Sequence, residues 1–340
     1  MKAKFESRSP VEGRVNLADV VPLSAPLTVN VEVASVCNLR CFFCPTGDVK
    51  LTKETGKFRG LMELELFRKL IADIDALPTP VKALHLHKDG EPLMHPKFCD
   101  MALEARRSSN IERIETLTNG VLLNPELNRR LVDTGIDRIK ISVYGLSTDG
   151  FKASTKANVD FDQYVENIAD LYSRRKSTKL YIKIIEEGFS EEEKQKFLMT
   201  FGNISDVIFF EHFVDNWPDF DFEDQDKLTA SNVGVLGQKT RPYKKVCPQP
   251  FFNFTVCADG RVTGCCPDWQ VKLVMGDIRH ASLIDIWHGK EFNDLRLMML
   301  RGERACHSLC GQCGYPTFTC IDDIDDAAPM LLERFMQTAI

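Results

Sequence analysis

Three cysteines, Cys37, Cys41 and Cys44, stand in the run VEVASVCNLRCFFCPTG with three and then two residues between them. Thiolates this close on one loop can converge on a single soft metal centre. Three of them fill only three corners of a four-iron cluster and leave one iron open to another ligand. A zinc site usually takes paired C-x2-C units and closes its fourth position with a further Cys or His, whereas this loop offers an odd number of thiols followed by Pro45 and Gly47. A disulfide framework suits a small secreted domain rather than a chain of 340 residues.

The spacing C-x3-C-x-aromatic-C, with Phe43 in the aromatic slot, resembles the signature of the radical S-adenosylmethionine (radical SAM) superfamily. The resemblance implies that Cys37, Cys41 and Cys44 hold a 4Fe-4S cluster whose open iron is chelated by the amino and carboxylate groups of S-adenosyl-L-methionine. In that family one electron from the reduced cluster cleaves the sulfonium, and a 5′-deoxyadenosyl radical removes hydrogen from an unactivated carbon. The cofactor supplies the hard chemistry and the protein aims it. Asp89-Gly90-Glu91-Pro92 resembles the family's GGE-P motif, whose backbone carbonyls and acidic side chain receive the methionine ammonium; Asp89 stands where the family usually has Gly. Asn119, in Thr118-Asn119-Gly120, and Ser142 resemble family positions near the ribose and the methionine carboxylate, groups that hydroxyl and amide side chains suit. Taken alone, DGEP and TNG are also ordinary turn sequences. Lys183 can reach the carboxylate or snorkel to the surface.

A second set of cysteines lies near the C-terminus. Cys247 and Cys265 are separated by seventeen residues, and Cys310 and Cys313 follow in LCGQC. The Asp259-Gly260 turn predicts a hairpin with a cysteine at each root, and the stretch Leu283 to Leu300 predicts a helix pair that returns the chain to Cys310. Four thiols make a closed site, for which zinc and an iron–sulfur cluster compete. The segment resembles the auxiliary-cluster domain called SPASM, or its shortened twitch form. Cys320 follows Cys313 after six residues and no cysteine comes later, a departure from the full SPASM pattern. The resemblance therefore implies one auxiliary 4Fe-4S cluster on Cys247, Cys265, Cys310 and Cys313. Cys99, Cys257, Cys266, Cys306 and Cys320 default to small buried hydrophobes, with Cys257 or Cys266 a candidate hydrogen-atom donor.

The elements that must position these groups alternate. Strands are predicted over Thr28 to Val36, Val81 to His87, Ile111 to Leu117, Ile136 to Val143, Leu180 to Ile185 and Asp206 to His212. Helices are predicted over Met62 to Ala76, Pro96 to Ser108, Pro125 to Thr134, Phe161 to Ser173 and Glu191 to Phe201. Such alternation means right-handed parallel βαβ units in an open sheet or a barrel. The resemblance selects an α/β fold, a partial (β/α)6 TIM-like barrel with a small C-terminal Cys-rich SPASM/twitch domain. Cys37, Asp89, Asn119, Ser142 and Tyr144 then fall at the C-terminal strand ends, where ligands of α/β sheets bind. The expected divisions are an N-terminal extension over 1–27, the barrel over 28–214, a linker over 215–240, the auxiliary-cluster domain over 241–325 and a tail over 326–340.

Composition narrows the function classes. The sequence is 44% hydrophobic and 27% charged, ordinary for a folded globular chain, and its net charge of −6 offers no basic field for nucleic acid. No eighteen apolar residues run together and no secretory segment is evident, which predicts no membrane partner and a cytoplasmic location. Twin clusters suit a two-electron oxidation, and twitch-type relatives oxidise aminocyclitols. The leading expectation is therefore oxidation of a small hydroxylated molecule, a sugar or aminocyclitol, with a flavodoxin-type electron donor. An epimerase with a cysteine hydrogen donor, a peptide maturase and a non-enzymatic metal-binding regulator are the rivals. The general base is not identified, with Glu186, Glu211 and His212 as candidates at late strand ends.

Overall fold

The computed structural model describes residues 1–7, 15–214, 217–222, 233–240 and 243–338. Among the described residues ten strands form one sheet: β1 (Lys4–Phe5), β2 (Thr28–Val31), β3 (Ala83–His85), β4 (Ile114–Thr118), β5 (Arg138–Val143), β6 (Lys179–Ile185), β7 (Val207–Glu211), β8 (Asn253–Val256), β9 (Arg261–Thr263) and β10 (Val274–Asp277). Their order is β1-β7-β6-β5-β4-β3-β2-β8-β9-β10. Strands β2 to β7 are neighbours in sequence order and parallel throughout, the succession of a partial (β/α)6 barrel.

The intervening helices sit where apolar spacing predicts them. Leu64–Asp75 buries Phe67, Leu70, Ile71 and Ile74, each worth about 1.5–3 kcal/mol when fully removed from water. Pro125–Asp133 starts at Pro125 behind an Asn124 cap, and Glu191–Phe201 opens with a Ser190/Glu193 capping box. Two further helices, Val49–Glu54 and Thr148–Thr155, are too short to show apolar periodicity; each is started by a side-chain cap, Asp48 and Ser147.

The first barrel strand is shorter than its alternation suggests. After Val31 the chain leaves the ladder to meet the segment around Gly60: Met62 N donates to Val33 O at 2.9 Å and Ser35 N donates to Gly60 O at 2.9 Å. This bend carries Cys37 over the end of the sheet.

The C-terminal part continues the same sheet. Strand β8 pairs in parallel with β2, Thr28 opposite Asn253 and Val31 opposite Val256, and β8, β9 and β10 form an antiparallel meander. The stretch read as a linker lies in part outside the described residues, at 215–216 and 223–232. Its described portions pack on the C-terminal part, with Trp269 Nε1 donating to Pro218 O at 2.8 Å and Val235 N donating to Phe318 O at 2.9 Å. The stretch read as a tail contains a helix, Ala328–Thr338, anchored by Phe335 against Phe251 and by Arg334 on the carbonyl of Ala18. The N-terminal stretch is likewise tied down, β1 adding a parallel edge strand to β7.

Candidate functional site

The N-terminal cysteines sit at the C-terminal edge of the barrel on a loop fixed by its own backbone. Cys44 N donates to Cys41 O, and Gly47 N donates to Cys44 O. Gly47 is required there, since a Cβ would lie 2.7 Å from the carbonyl oxygen of Cys41. Burial pushes the Cys37 thiol up to about 12 and raises Cys41 and Cys44 as well; nearby negative charge adds to each shift, from Glu91 and Cys44 at Cys37, from Cys44 and Cys37 at Cys41 and from Asp89 at Cys44. Thiols so placed ionise only against added positive charge, which an iron cluster provides. Cys37 Sγ also accepts from Leu39 N at 3.4 Å and Asn119 Nδ2 at 3.8 Å, the kind of contact that tunes a cluster.

The DGEP loop is keyed into this cysteine loop. A Cβ on Gly90 would stand 2.2 Å from Ala34 O and 2.6 Å from Val36 O, so only glycine allows the approach, and Glu91 N donates to Val36 O at 2.9 Å. The Glu91 carboxylate is buried and accepts from Thr118 Oγ1 at 2.6 Å, Leu93 N at 3.0 Å and Asn119 N at 2.7 Å. Burial raises its pKa against those three donors. Glu91 thus brackets the loops after β3 and β4. Asn119 completes the connection, its Nδ2 donating to Asn38 Oδ1 at 2.7 Å while its own carbonyl accepts from Tyr164.

Asp89 takes a different part from the one its motif position suggests. Its carboxylate pairs with both Lys57 and Lys88, and Lys57 also pairs with Glu32 at 2.8 Å, all four side chains being almost fully buried. Burial pushes the Asp89 carboxyl up, and the two lysines outweigh it and hold it below its ordinary value. Both lysines meet the same oxygen, Oδ2, while Oδ1 is buried with no hydrogen-bond partner. Lys57 is far from any motif, Glu32 lies five residues before Cys37 and Lys88 directly precedes DGEP.

Ser142 and Lys183 lie opposite each other across β5 and β6, and Tyr144 follows on the same face, hydrogen-bonded with Ser142 and within electrostatic reach of all three N-terminal thiols. Phe43 packs on Tyr144 at 6.0 Å and on Phe213 at 5.8 Å, forming an apolar wall beside the cysteines. Lys183 pairs with Glu211. Of the other base candidates, His212 Nδ1 pairs with Glu186 at 3.0 Å, and Glu186 also meets Lys194.

Cys247, Cys265, Cys310 and Cys313 line one cavity together with Gln249, Arg304 and apolar side chains. Burial raises Cys247 and Cys265 and pushes Cys310 up to about 12. Cys320 is a further thiol, buried near Cys247 and accepting from Gln249 Nε2 at 3.4 Å. None of the twelve cysteines is in a disulfide. Among the described residues no three His, Cys, Asp or Glu side chains are close enough to hold a single metal ion; ligands of a four-iron cube stand farther apart than those of one zinc ion. Cys257 is buried among Lys88, Glu32, Lys57 and Asp89, Cys266 is half-buried, Cys99 is in the core and Cys306 is exposed.

Family models agree with this geometry. Residues 31–198 match the radical SAM superfamily, and residues 247–314 match an iron-sulfur cluster-binding domain, SPASM. The chain belongs to the radical SAM superfamily. As a radical SAM enzyme with a SPASM domain, it uses S-adenosylmethionine and 4Fe-4S clusters. It is 25% identical over 289 residues, 84% of this chain and 91% of the relative, to the S-adenosyl-L-methionine-dependent 2-deoxy-scyllo-inosamine dehydrogenase of Niallia circulans. The crystal structure of BtrN in complex with AdoMet and 2-DOIA shares the fold at a TM-score of 0.54 and 22% identity, covering 84% of this chain and 92% of that one. Native anSMEcpe with bound AdoMet shares it at a TM-score of 0.59 and 15% identity, covering 92% and 97%. Among the described residues no helix is long and apolar enough to cross a membrane.

Proposed function

We propose that this radical SAM enzyme oxidises a hydroxyl group of a small polyhydroxylated molecule, an aminocyclitol or sugar, to a ketone. The observation that carries the reading is the second cysteine set, gathered around a cavity of its own. Converting a CH–OH group to C=O releases one hydrogen atom, one proton and one electron. When bound, a cluster at the N-terminal cysteines with S-adenosylmethionine would supply the hydrogen-atom abstraction, and one at the C-terminal cysteines would supply an acceptor for the electron. The likeness to the inosamine dehydrogenase along 84% of the chain supports the same substrate class.

The chain's own residues do the positioning. Cys37, Cys41 and Cys44 would hold the first cluster, and Cys247, Cys265, Cys310 and Cys313 the second. Gly90 and Glu91 fix the loop that borders the cosubstrate, and Asn119 ties that loop to Cys37. Phe43, Tyr144 and Phe213 exclude water from the cysteine side of the sheet. The Lys183–Glu211 pair shares the face of Ser142 and offers a proton acceptor to a hydroxyl held there. We place the enzyme in the cytoplasm with a flavodoxin-type donor, the residue divisions being 28–214 for the barrel and 241–325 for the auxiliary-cluster domain.

The test is anaerobic turnover with candidate aminocyclitols and polyols in deuterated water. A ketone formed with one S-adenosylmethionine consumed is the expected result. Deuterium in a recovered stereoisomer would instead identify an epimerase.

A further inference from the structure

Arg304 stands in the 3₁₀ turn Glu303–Cys306 and lines the cavity shared by Cys247, Cys265, Cys310 and Cys313. It is only 1% exposed. Its Nε donates to Lys244 O at 3.0 Å, and its Nη1 donates to the carbonyls of Cys310 at 2.7 Å and Cys313 at 3.1 Å. The guanidinium lies 4.2 Å from the centroid of the Tyr243 ring. All these partners are neutral, and among the described residues no carboxylate pairs with it. The remaining nitrogen, Nη2, is buried with no hydrogen-bond partner.

A buried cation without a counter-charge is costly, and a buried N–H without an acceptor adds to the cost. Both debts point at the same cavity. Four thiols line that cavity, and the bonds from Nη1 to the carbonyls of Cys310 and Cys313 hold the guanidinium against the loop that carries two of them. We propose that Arg304 is the counter-charge of the cluster held by the four C-terminal cysteines, donating from Nη2 to one of its sulfurs and setting its reduction potential. The inference rests on the ligation of a cluster by those four thiols.

A 4Fe-4S cube with four thiolate ligands is anionic, and one-electron reduction adds a further negative charge with no proton to offset it. A fixed guanidinium and an N–H···S bond favour the reduced form more than the oxidised one, and so raise the potential. A higher potential makes that cluster a better acceptor for the single electron that alcohol oxidation leaves behind. Arg304 is on this account a tuning residue with no contact to substrate.

The experiment is an EPR-monitored redox titration of the anaerobic holoprotein with dithionite. Added S-adenosylmethionine identifies the N-terminal signal, which it alone perturbs. Arg304→Gln should lower the equilibrium constant for one-electron reduction of the C-terminal cluster about tenfold, a fall of about 59 mV for a one-electron couple, with the N-terminal potential unmoved. Arg304→Lys, which keeps the charge, should stay close to the parent protein. An unchanged potential in the glutamine variant overturns the proposal, as does a lysine variant as low as glutamine. Should glutamine shed the cluster, a lysine variant that retains it at the parent potential supports the counter-charge, and shedding by both variants reduces Arg304 to a brace for the Cys310 loop. Parent protein lacking iron and sulfide at the C-terminal set would instead strike at the ligation itself.

Discussion

Lys88 Nζ donates to the backbone carbonyl of Asp268 at 3.2 Å, joining the loop after β3 to the segment just beyond Cys265. The same ammonium pairs with Asp89 and is fully buried, so one side chain spans from the DGEP loop to the second cysteine set. Lys88→Met should leave Asp89 with Lys57 alone and cut the link to Asp268. Breaking a buried charge network by removing one member costs about 3–5 kcal/mol. Urea unfolding of the apoprotein should show that loss, and a change below about 1 kcal/mol would mean the network is not holding the two parts together.

Gly90→Ala tests the keying of the two loops. The new methyl would have to displace the carbonyls of Ala34 and Val36, immediately before Cys37. Iron and sulfide per chain should fall by about half, from loss of the N-terminal cluster with the C-terminal one kept. Full iron content with normal S-adenosylmethionine cleavage would show that the approach is not critical.

Glu115 gives a pH prediction. Burial pushes its pKa up, but Lys140 and His85, with Arg113, outweigh it and hold the carboxyl below its ordinary range. A carboxylate with a depressed folded pKa contributes stability that is full above its unfolded pKa, about 4.3, and is lost as pH falls through the folded value. The stability gap between the parent and Glu115→Gln should therefore be widest at neutral pH and shrink from about pH 5 downward. Urea midpoints measured across that range would read it, and a gap independent of pH would contradict the shift.

The C-terminal set can be separated from the N-terminal one by Cys313→Ser. With substrate present, S-adenosylmethionine cleavage should persist while ketone yield falls at least about tenfold, a cost of roughly 1.4 kcal/mol or more. Chromatography of 5′-deoxyadenosine against ketone measures the uncoupling. Equal losses of both products would place Cys313 in general folding instead.

Much of this arrangement was legible in the residues. The alternation of strands and helices marked β2 through β7, because each element carries its own period, and Cys37, Gly90 and Asn119 fell together because parallel strands deliver their C-terminal ends to one edge. The Asp89 carboxylate was not legible. Its motif position speaks of a ligand, while its partner Lys57, and the Glu32 that shares that lysine, come from segments brought near only by tertiary folding. The helices at Val49–Glu54 and Thr148–Thr155 escaped notice for a local reason, since a single cap sets them and a turn or two leaves no period to read. Arg304 carries no sequence signal at all; its unpartnered nitrogen becomes visible only once Cys310 and Cys313 turn their carbonyls toward it.

The parallel pairing of Thr28–Val31 with Asn253–Val256 has a consequence for dissecting the molecule. A shortened version ending before Cys247 would strip one flank of the barrel's opening strand and bare a row of amide and carbonyl groups next to Val29 and Val31. Uncovered strand borders of that kind recruit other chains. An excised catalytic half should therefore precipitate or form polymers rather than report the chemistry of the first three cysteines.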